Sequence, residues 1–313
     1  RDSVSLIVRN LTKKYGDKVV LENLSFEIKE SGVYALLGTN GAGKTTTLRL
    51  ILGMLAGNGG EVLWKGKPLD AVNANVGYLA EERGLYPKYT LIDQLLYFAR
   101  LRGVPRDTAM ERIKYWSERL MVDEYIFPPK TRGRKSKPYK AEQLSKGNQQ
   151  KIQLMAALIS DPELLILDEP LAGLDPVNTD LFKSIIHEEI AAGKYLIMSS
   201  HQMPTIEEFC SDITILHRGK VVLQGNLNEI KKGYGRVNLF IKCESDISSY
   251  IPRFGLTIVK KTPGEYHLKV QKEQQAMDFL SQLIRDNISI IRFELREPSL
   301  HEIFVEKVGV ANE

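Results

Sequence analysis

The stretch GTNGAGKTT, residues 38–46, constrains the fold of this chain more than any other. It fits the pattern G-x-x-x-x-G-K-[ST] through Gly38, Gly43, Lys44 and Thr45. The apolar run 33–37 precedes it and reads as a strand; residues 46–52 follow with helical character. Strand, glycine-rich loop and helix in that order form an α/β unit that cradles phosphate. Glycines let backbone N–H groups turn inward and approach an anion with no Cβ in the way. A helix starting near Lys44 adds its positive N-terminal end. Lys44 has the reach for β- and γ-phosphates, and the Thr45 hydroxyl suits Mg²⁺. Thr39, Asn40, Gly41, Ala42 and Thr46 complete a loop that reads as the phosphate half of a nucleotide site.

Length and charge narrow the rest. A chain of 313 residues, 43% hydrophobic and 26% charged, makes one large domain or two and needs no disulfides for its core. A net charge of +4 is too small to imply a nucleic-acid or membrane partner by itself. Cys210 and Cys243 have no metal-type spacing and read as small core residues in a reducing compartment. No apolar stretch reaches the length of about eighteen residues that a spanning helix needs, and no signal-peptide pattern is present, so a membrane role requires a partner that supplies the spans.

In chain order, residues 4–8 alternate like a half-buried strand, and strands are expected at 19–21, 24–28, 61–64 and 76–79. Tyr15 precedes Gly38 by 23 residues; its ring can stack on a base or belong to core or surface. From about 91 to 121 the apolar spacing turns helical, so a helical block interrupts the α/β pattern. The run 130–140, KTRGRKSKPYK, holds six Lys or Arg and no acid. It reads as a mobile, solvated surface loop, with contact to lipid phosphates or nucleic acid as the alternative.

Two further segments carry chemistry. Ser145 is a plausible N-cap of a helix running through 159, and with Gly147 it forms a second anion-compatible helix start. The apolar run 164–167 ends in Asp168 and Glu169, where an open α/β sheet places its ligands. Asp168 suits Mg²⁺ and Glu169 suits a general base for water, with strand alternation expected to turn the two apart. A helix is expected from about 178 to 192, and the strand 195–199 delivers His201 to the same side of the sheet. Past 225 the order β-α-β-β-α-β-α suggests a small ferredoxin-like unit with no catalytic motif.

Taken together these residues resemble the ATP-binding subunit of an ABC transporter. The resemblance covers roughly residues 4–226. It places Tyr15 at the A-loop, 38–46 at Walker A, 144–148 at the LSGGQ signature, 164–169 at Walker B, Asp175 in the D-loop and His201 at the H-loop. Two positions depart from the family pattern: Glu81 stands where a Q-loop Gln is usual, and the signature reads LSKGN. The stretch GYLAEERGLYP, the LSKGNQQK form and the PSLHEIF segment are similar to ABC-2-type exporter ATPases, most of all the sodium-efflux (NatA-like) group.

The resemblance implies an α/β fold: a P-loop NTPase ABC cassette over 1–226 with a helical subdomain at about 85–158, followed by a small α+β ferredoxin-like C-terminal domain over 227–313. It implies ATP and Mg²⁺ as ligands, with Thr45, Asp168 and Glu81 at the metal and Glu169 and His201 as catalytic residues. It implies a homodimer around two ATP, in which Ser145, Lys146, Gly147, Asn148 and Asp175 reach the nucleotide held by the other copy. It also implies an ABC-2-type permease, sodium or drug efflux, a cytoplasmic place on the inner membrane face through that permease, and no nucleic-acid partner. Ribosome-directed relatives usually carry two cassettes in one chain, and this chain shows one. DNA-directed relatives insert long coiled coils, whereas 101 positions separate Lys44 from Ser145 here. A non-catalytic regulatory scaffold would not need Glu169 and His201.

Overall fold

The computed structural model describes residues 4–71, 73–82 and 84–312. The chain divides into two compact units, Arg1–Gln224 and Gly225–Glu313.

In the first unit, β1 (Leu6–Tyr15), β2 (Lys18–Ile28), β4 (Gly59–Trp64) and β5 (Lys67–Pro68) form an antiparallel sheet in the order β2-β1-β4-β5. A second sheet holds β3 (Gly32–Leu37), β6 (Val76–Leu79), β7 (Leu164–Asp168), β8 (Tyr195–Ser200), β9 (Cys210–His217) and β10 (Lys220–Asn226) in the order β10-β9-β3-β8-β7-β6. Its β9-β3, β3-β8, β8-β7 and β7-β6 pairs are parallel. Strands of a covered parallel sheet are buried on both faces and read as unbroken apolar runs. Here β3 (GVYALL) and β7 (LLILD) are buried almost throughout. Helix α1 (Lys44–Ile51) shares one core with both sheets: Leu48 and Ile51 pack with Leu6, Leu21 and Phe26 and with Leu36, Ile166 and Ile197.

Two strands expected at 19–21 and 24–28 are one strand, β2. The break between them is an irregularity, because Asn23 sits at φ 48° inside β2 and the β1–β2 register shifts beside it. An Asn accepts the left-handed region more readily than other residues do. The helical block enters between the adjacent strands β6 and β7 as α2 (Leu91–Leu101), α3 (Arg106–Arg119), α4 (Asp123–Ile126) and α5 (Lys146–Leu158). Thr90 caps α2 by accepting from Asp93 N, and Ser145 caps α5 by accepting from Asn148 N at 3.2 Å. The apolar stripes, among them Leu91, Leu95, Ala99, Ile113, Trp116, Ile152 and Met155, are buried. The basic run 130–140 is largely exposed and folded on itself: Thr131 and Arg134 pair across a turn, and Ser136 Oγ donates to Pro129 O. Beyond the block, α6 (Pro176–Ala191) joins β7 to β8, and α7 (Met203–Ile206) follows β8.

The second unit contains α8 (Leu227–Tyr234), β11 (Asn238–Cys243), α9 (Tyr250–Arg253), β12 (Thr257–Thr262), β13 (Glu265–Lys269), α10 (Glu273–Arg285), β14 (Ile290–Arg296) and α11 (Leu300–Asn312). Its strand order β12-β13-β11-β14, with antiparallel neighbours, is the ferredoxin-like arrangement. Phe279 and Leu283 of α10 pack on Leu239, Ile241 and Leu268 of the sheet, with Cys243 buried beside them. The helix α8 was not expected from sequence. Among the described residues no helix is long and apolar enough to cross a membrane.

Candidate nucleotide site

The C-terminal ends of β3, β7 and β8 lie side by side, with Leu37 opposite Ser200 and Asp168 opposite Ser199. Ligands of an open α/β sheet bind at this edge. The loop from Gly38 to Gly43 leaves β3 here and opens α1. A Cβ at Gly38 would lie 2.7 Å from Leu216 O, so only glycine lets the loop leave the sheet at this point. Gly43, the N-cap of α1, sits at φ 108°, a conformation that side chains rarely tolerate. Its carbonyl accepts from Thr47 N at 2.9 Å and from Thr47 Oγ1 at 2.7 Å, which fixes the first turn of α1. Thr39, Asn40 and Gly41 are exposed at the rim, Ala42 is buried beneath, and Thr46 is half-buried in α1.

Lys44 is buried, yet its ammonium has two partners. It donates to Gly38 O at 2.6 Å and to Glu169 Oε1 at 2.9 Å. His201 Nδ1 lies 2.8 Å from the same Oε1. A carboxylate only accepts, so Nδ1 is the donating nitrogen. Asp168 is fully buried; Oδ2 accepts from Thr45 Oγ1 at 2.8 Å and Oδ1 accepts from Ser199 Oγ. Ser199 Oγ in turn accepts from Glu169 N at 2.9 Å.

The two acids meet different partners, but not through strand alternation. Glu169 lies past the end of β7 at φ 50°, in the left-handed region. A non-glycine residue there costs about 1–3 kcal/mol, which the surrounding bonds must offset. The kink brings both carboxylates to the same loop, Asp168 at Thr45 and Glu169 at Lys44. Ser199 ties them together and was missed by sequence reading. Its only signal is a small polar pair, Ser199-Ser200, closing an apolar strand.

Glu81 is exposed just past β6. Lost hydration raises its carboxyl above the usual range, Asp168 and Glu169 raise it further, and Lys44 and His201 pull the other way. That list of neighbours places Glu81 within electrostatic reach of the cluster. Tyr15 ends β1 and is exposed, with Lys13 Nζ over its ring at 4.8 Å from the centroid. The face of this ring is accessible to a stacking partner.

Ser145, Lys146, Gly147 and Asn148 are not joined to this cluster within the chain. Gly147 alone of these comes near the Asp175 cap, through Asn178. Asp175 caps α6, accepting from Asn178 N at 2.7 Å and from Asn178 Nδ2 at 3.1 Å. A Cβ on Gly147 would lie 3.3 Å from the same Nδ2. Lys151 is buried nearby; burial lowers its ammonium while Asp175 works against that shift.

The donor sets suit a magnesium nucleotide. Mg²⁺ in phosphate sites takes one or two protein oxygens, phosphate oxygens and water, so it needs no dedicated cage. The adjacent Thr45 hydroxyl and Asp168 carboxylate offer such oxygens. Among the described residues no group of three His, Cys, Asp or Glu forms a closed metal site.

Comparison with known proteins identifies the family. Residues 21–172 match the ABC transporter family model, and residues 225–308 match the C-terminal domain model of DrrA1-3-like ATP-binding proteins. An uncharacterized ABC transporter ATP-binding protein of Bacillus subtilis, YhaQ, is 41% identical over 98% of this chain and 100% of its own length. The Nod factor export ATP-binding protein I of Burkholderia orbicola is 33% identical over 69% of each chain. The solved structure of an ATP-binding subunit of an ABC transporter superposes with a TM-score of 0.64 at 28% identity, covering 74% of this chain and 93% of that one. Motifs, fold and relatives converge: the chain belongs to the ATP-binding proteins of ABC transporters and is an ATPase.

Proposed function

We propose that the chain hydrolyses Mg-ATP as the motor subunit of an exporter, closing as a homodimer around two nucleotides and driving a separate ABC-2-type permease. The observation that carries this reading is the contact chain Lys44–Glu169–His201, its lysine and glutamate buried, beside Thr45–Asp168. Lys44 donates to Gly38 O of the glycine loop and binds the β- and γ-phosphates. Thr45 and Asp168 would hold the magnesium ion, with Glu81 in electrostatic reach of them. When bound, Mg²⁺ neutralises charge on the phosphate oxygens.

Glu169 takes the proton of the attacking water. One ammonium serves both a γ-phosphate and the Glu169 carboxylate, so phosphate binding loosens Glu169 for that task. His201 holds Glu169 through Nδ1 and meets the γ-phosphate and the water from its Nε2 side. Tyr15 stacks on the base.

The placement of Ser145 at the start of α5 and of Gly147 beside the Asn178–Asp175 cap, with no hydrogen bond to the phosphate cluster among the described residues, supports a site completed by a second copy. Each ATP then bridges two chains, and hydrolysis removes the bridge. Differential affinity of ATP for the closed form supplies the free energy for the permease's conformational change. The helical insertion is the surface that meets the permease, which holds the subunit at the membrane. Likeness to a Nod factor export protein and to a DrrA-like C-terminal domain supports export as the direction.

ATP turnover tests the assignment. Glu169→Gln keeps the shape and removes the base, so turnover is expected to fall by about 10²–10⁴ with nucleotide still bound. Turnover at the wild-type rate would overturn it.

A further inference from the structure

The basic run 130–140 takes no part in the nucleotide site, yet its backbone is a defined structure. Thr131 N donates to Arg134 O and Arg134 N donates to Thr131 O, both at 3.1 Å, which closes a two-residue hairpin. Arg132 and Gly133 at its tip sit at φ 50° and φ 75°, the positive pair that a type I′ turn requires. Ser136 Oγ donates to Pro129 O at 3.0 Å across the base of the hairpin. The far end is tied to the helical block: Tyr139 N donates to Tyr125 O at 3.1 Å, and Leu91 N donates to Tyr139 O at 2.9 Å.

This hairpin presents Lys130, Arg132, Arg134, Lys135, Lys137 and Lys140, all exposed, and no acid. Among the described residues none of the six forms an ion pair. Other surface cations of the fold do find acids, as Arg9 does with Glu61 and Lys65 with Glu163. Six like charges gathered without a counter-charge repel one another, and an array of anions relieves that repulsion. The whole chain carries only +4, so outside this run it is net negative. The positive field is confined to one tip.

Shape and neighbours select the anion. A nucleic-acid strand is met by a stripe of Lys and Arg along a face or a helix, and this chain offers one short tip with a net negative remainder. A bilayer is a plane of headgroups, which a tip can touch without any further basic surface. Phe127 and Tyr139, on the two flanks of the hairpin, are 36% and 37% exposed. Cations beside exposed aromatic rings suit the membrane–water interface, with rings at headgroup level and charges on lipid phosphates. The chain also belongs to a family that serves transporters, and among the described residues it has no helix that could enter the bilayer itself.

We propose that the hairpin 130–137 docks on anionic phospholipid, its Lys and Arg side chains on headgroup phosphates and Phe127 and Tyr139 at the interface. This contact is the chain's own and needs no permease, so lipid vesicles alone test it and its failure leaves the permease reading standing.

The test is co-sedimentation of the full chain with vesicles of phosphatidylglycerol in phosphatidylcholine, against pure phosphatidylcholine. The variant carries Lys130→Gln, Arg132→Asn, Arg134→Gln, Lys135→Gln and Lys137→Gln together; Asn before Gly133 keeps the turn. Wild type is expected to bind the anionic vesicles only, and to be released by salt. Each charge removed weakens binding by about fivefold, so the variant is weaker by roughly a hundredfold or more, with melting temperature and basal ATP turnover unchanged. If the combined variant melts lower, Lys130→Gln and Lys135→Gln made singly carry the test at about fivefold each. Wild-type protein that does not prefer anionic vesicles overturns the proposal, as does a folded variant that binds them as tightly as wild type. Release from the vesicles by inorganic phosphate at matched ionic strength would make this a free-phosphate site instead. A single-stranded oligonucleotide bound more tightly than the vesicles, through the same charges, would make nucleic acid the partner and overturn the lipid assignment.

Discussion

Replacing Lys44 by Met removes one ammonium and keeps most of the buried stem. The side chain makes two charge-assisted contacts, to Gly38 O and to Glu169 Oε1. Hydrogen bonds to charged groups are worth about 1.5–3 kcal/mol each. Binding phosphate does not add two such bonds to nothing, because the ammonium gives up a carboxylate and a carbonyl in exchange. The net contribution to ATP affinity is therefore about 2–4 kcal/mol, or roughly 30- to 700-fold in Kd. The same substitution leaves Glu169 buried without its cation. Breaking a buried pair costs up to about 3–5 kcal/mol, lessened here because His201 still holds Oε1. Lys44→Met with Glu169→Gln restores stability without restoring affinity. Glu169→Gln alone frees Lys44 and tightens ATP. Calorimetric titration with ATP and thermal melts of the three variants check each statement. An ATP affinity of Lys44→Met within twofold of wild type, in a folded protein, would refute the phosphate role of this lysine.

Three further outcomes are expected. Tyr15→Ala weakens ATP and GTP alike by about 1–3 kcal/mol in fluorescence titrations, and Tyr15→Phe is nearly silent; Phe as damaging as Ala would replace stacking by a hydroxyl bond. Glu81 has a raised carboxyl in the fold, so its ionisation opposes folding: stability linked to its proton is full below the unfolded value and is lost as pH rises through the folded one. Glu81→Gln therefore raises the melting temperature at pH 8, and the gain vanishes below about pH 4; a gain that persists at low pH would point elsewhere. Ser199→Ala removes a donor to Asp168 and an acceptor for Glu169 N, so it is expected to destabilise by about 1–3 kcal/mol and to slow turnover; wild-type melting would show that Ser199 does not hold the two acids.

What could be read from sequence was local. The loop 38–46 and the acid pair Asp168-Glu169 depend on a handful of adjacent residues, and the structure puts both where the spacing places them. Ser199 was not legible, because its contact with Asp168 exists only through the parallel register of β7 and β8. How Glu169 turns away from Asp168 was not legible either: it lies past the end of β7 in the left-handed region, where the period-two rule does not apply. Asn23 produced an error, a loop read into what is one irregular strand.

The central claim is that ATP bridges two copies of this chain. Glu169→Gln protein, which binds but does not consume ATP, tests it most directly by light scattering on a sizing column with Mg-ATP. The expected result is a dimer at saturating ATP that returns to monomer when the nucleotide is removed. Ser145→Arg on the same background fills the place where Ser145 meets the γ-phosphate and is expected to leave only monomer. A Glu169→Gln protein that carries nucleotide yet stays monomeric would contradict closure by the isolated subunit and make the membrane partner obligatory for it.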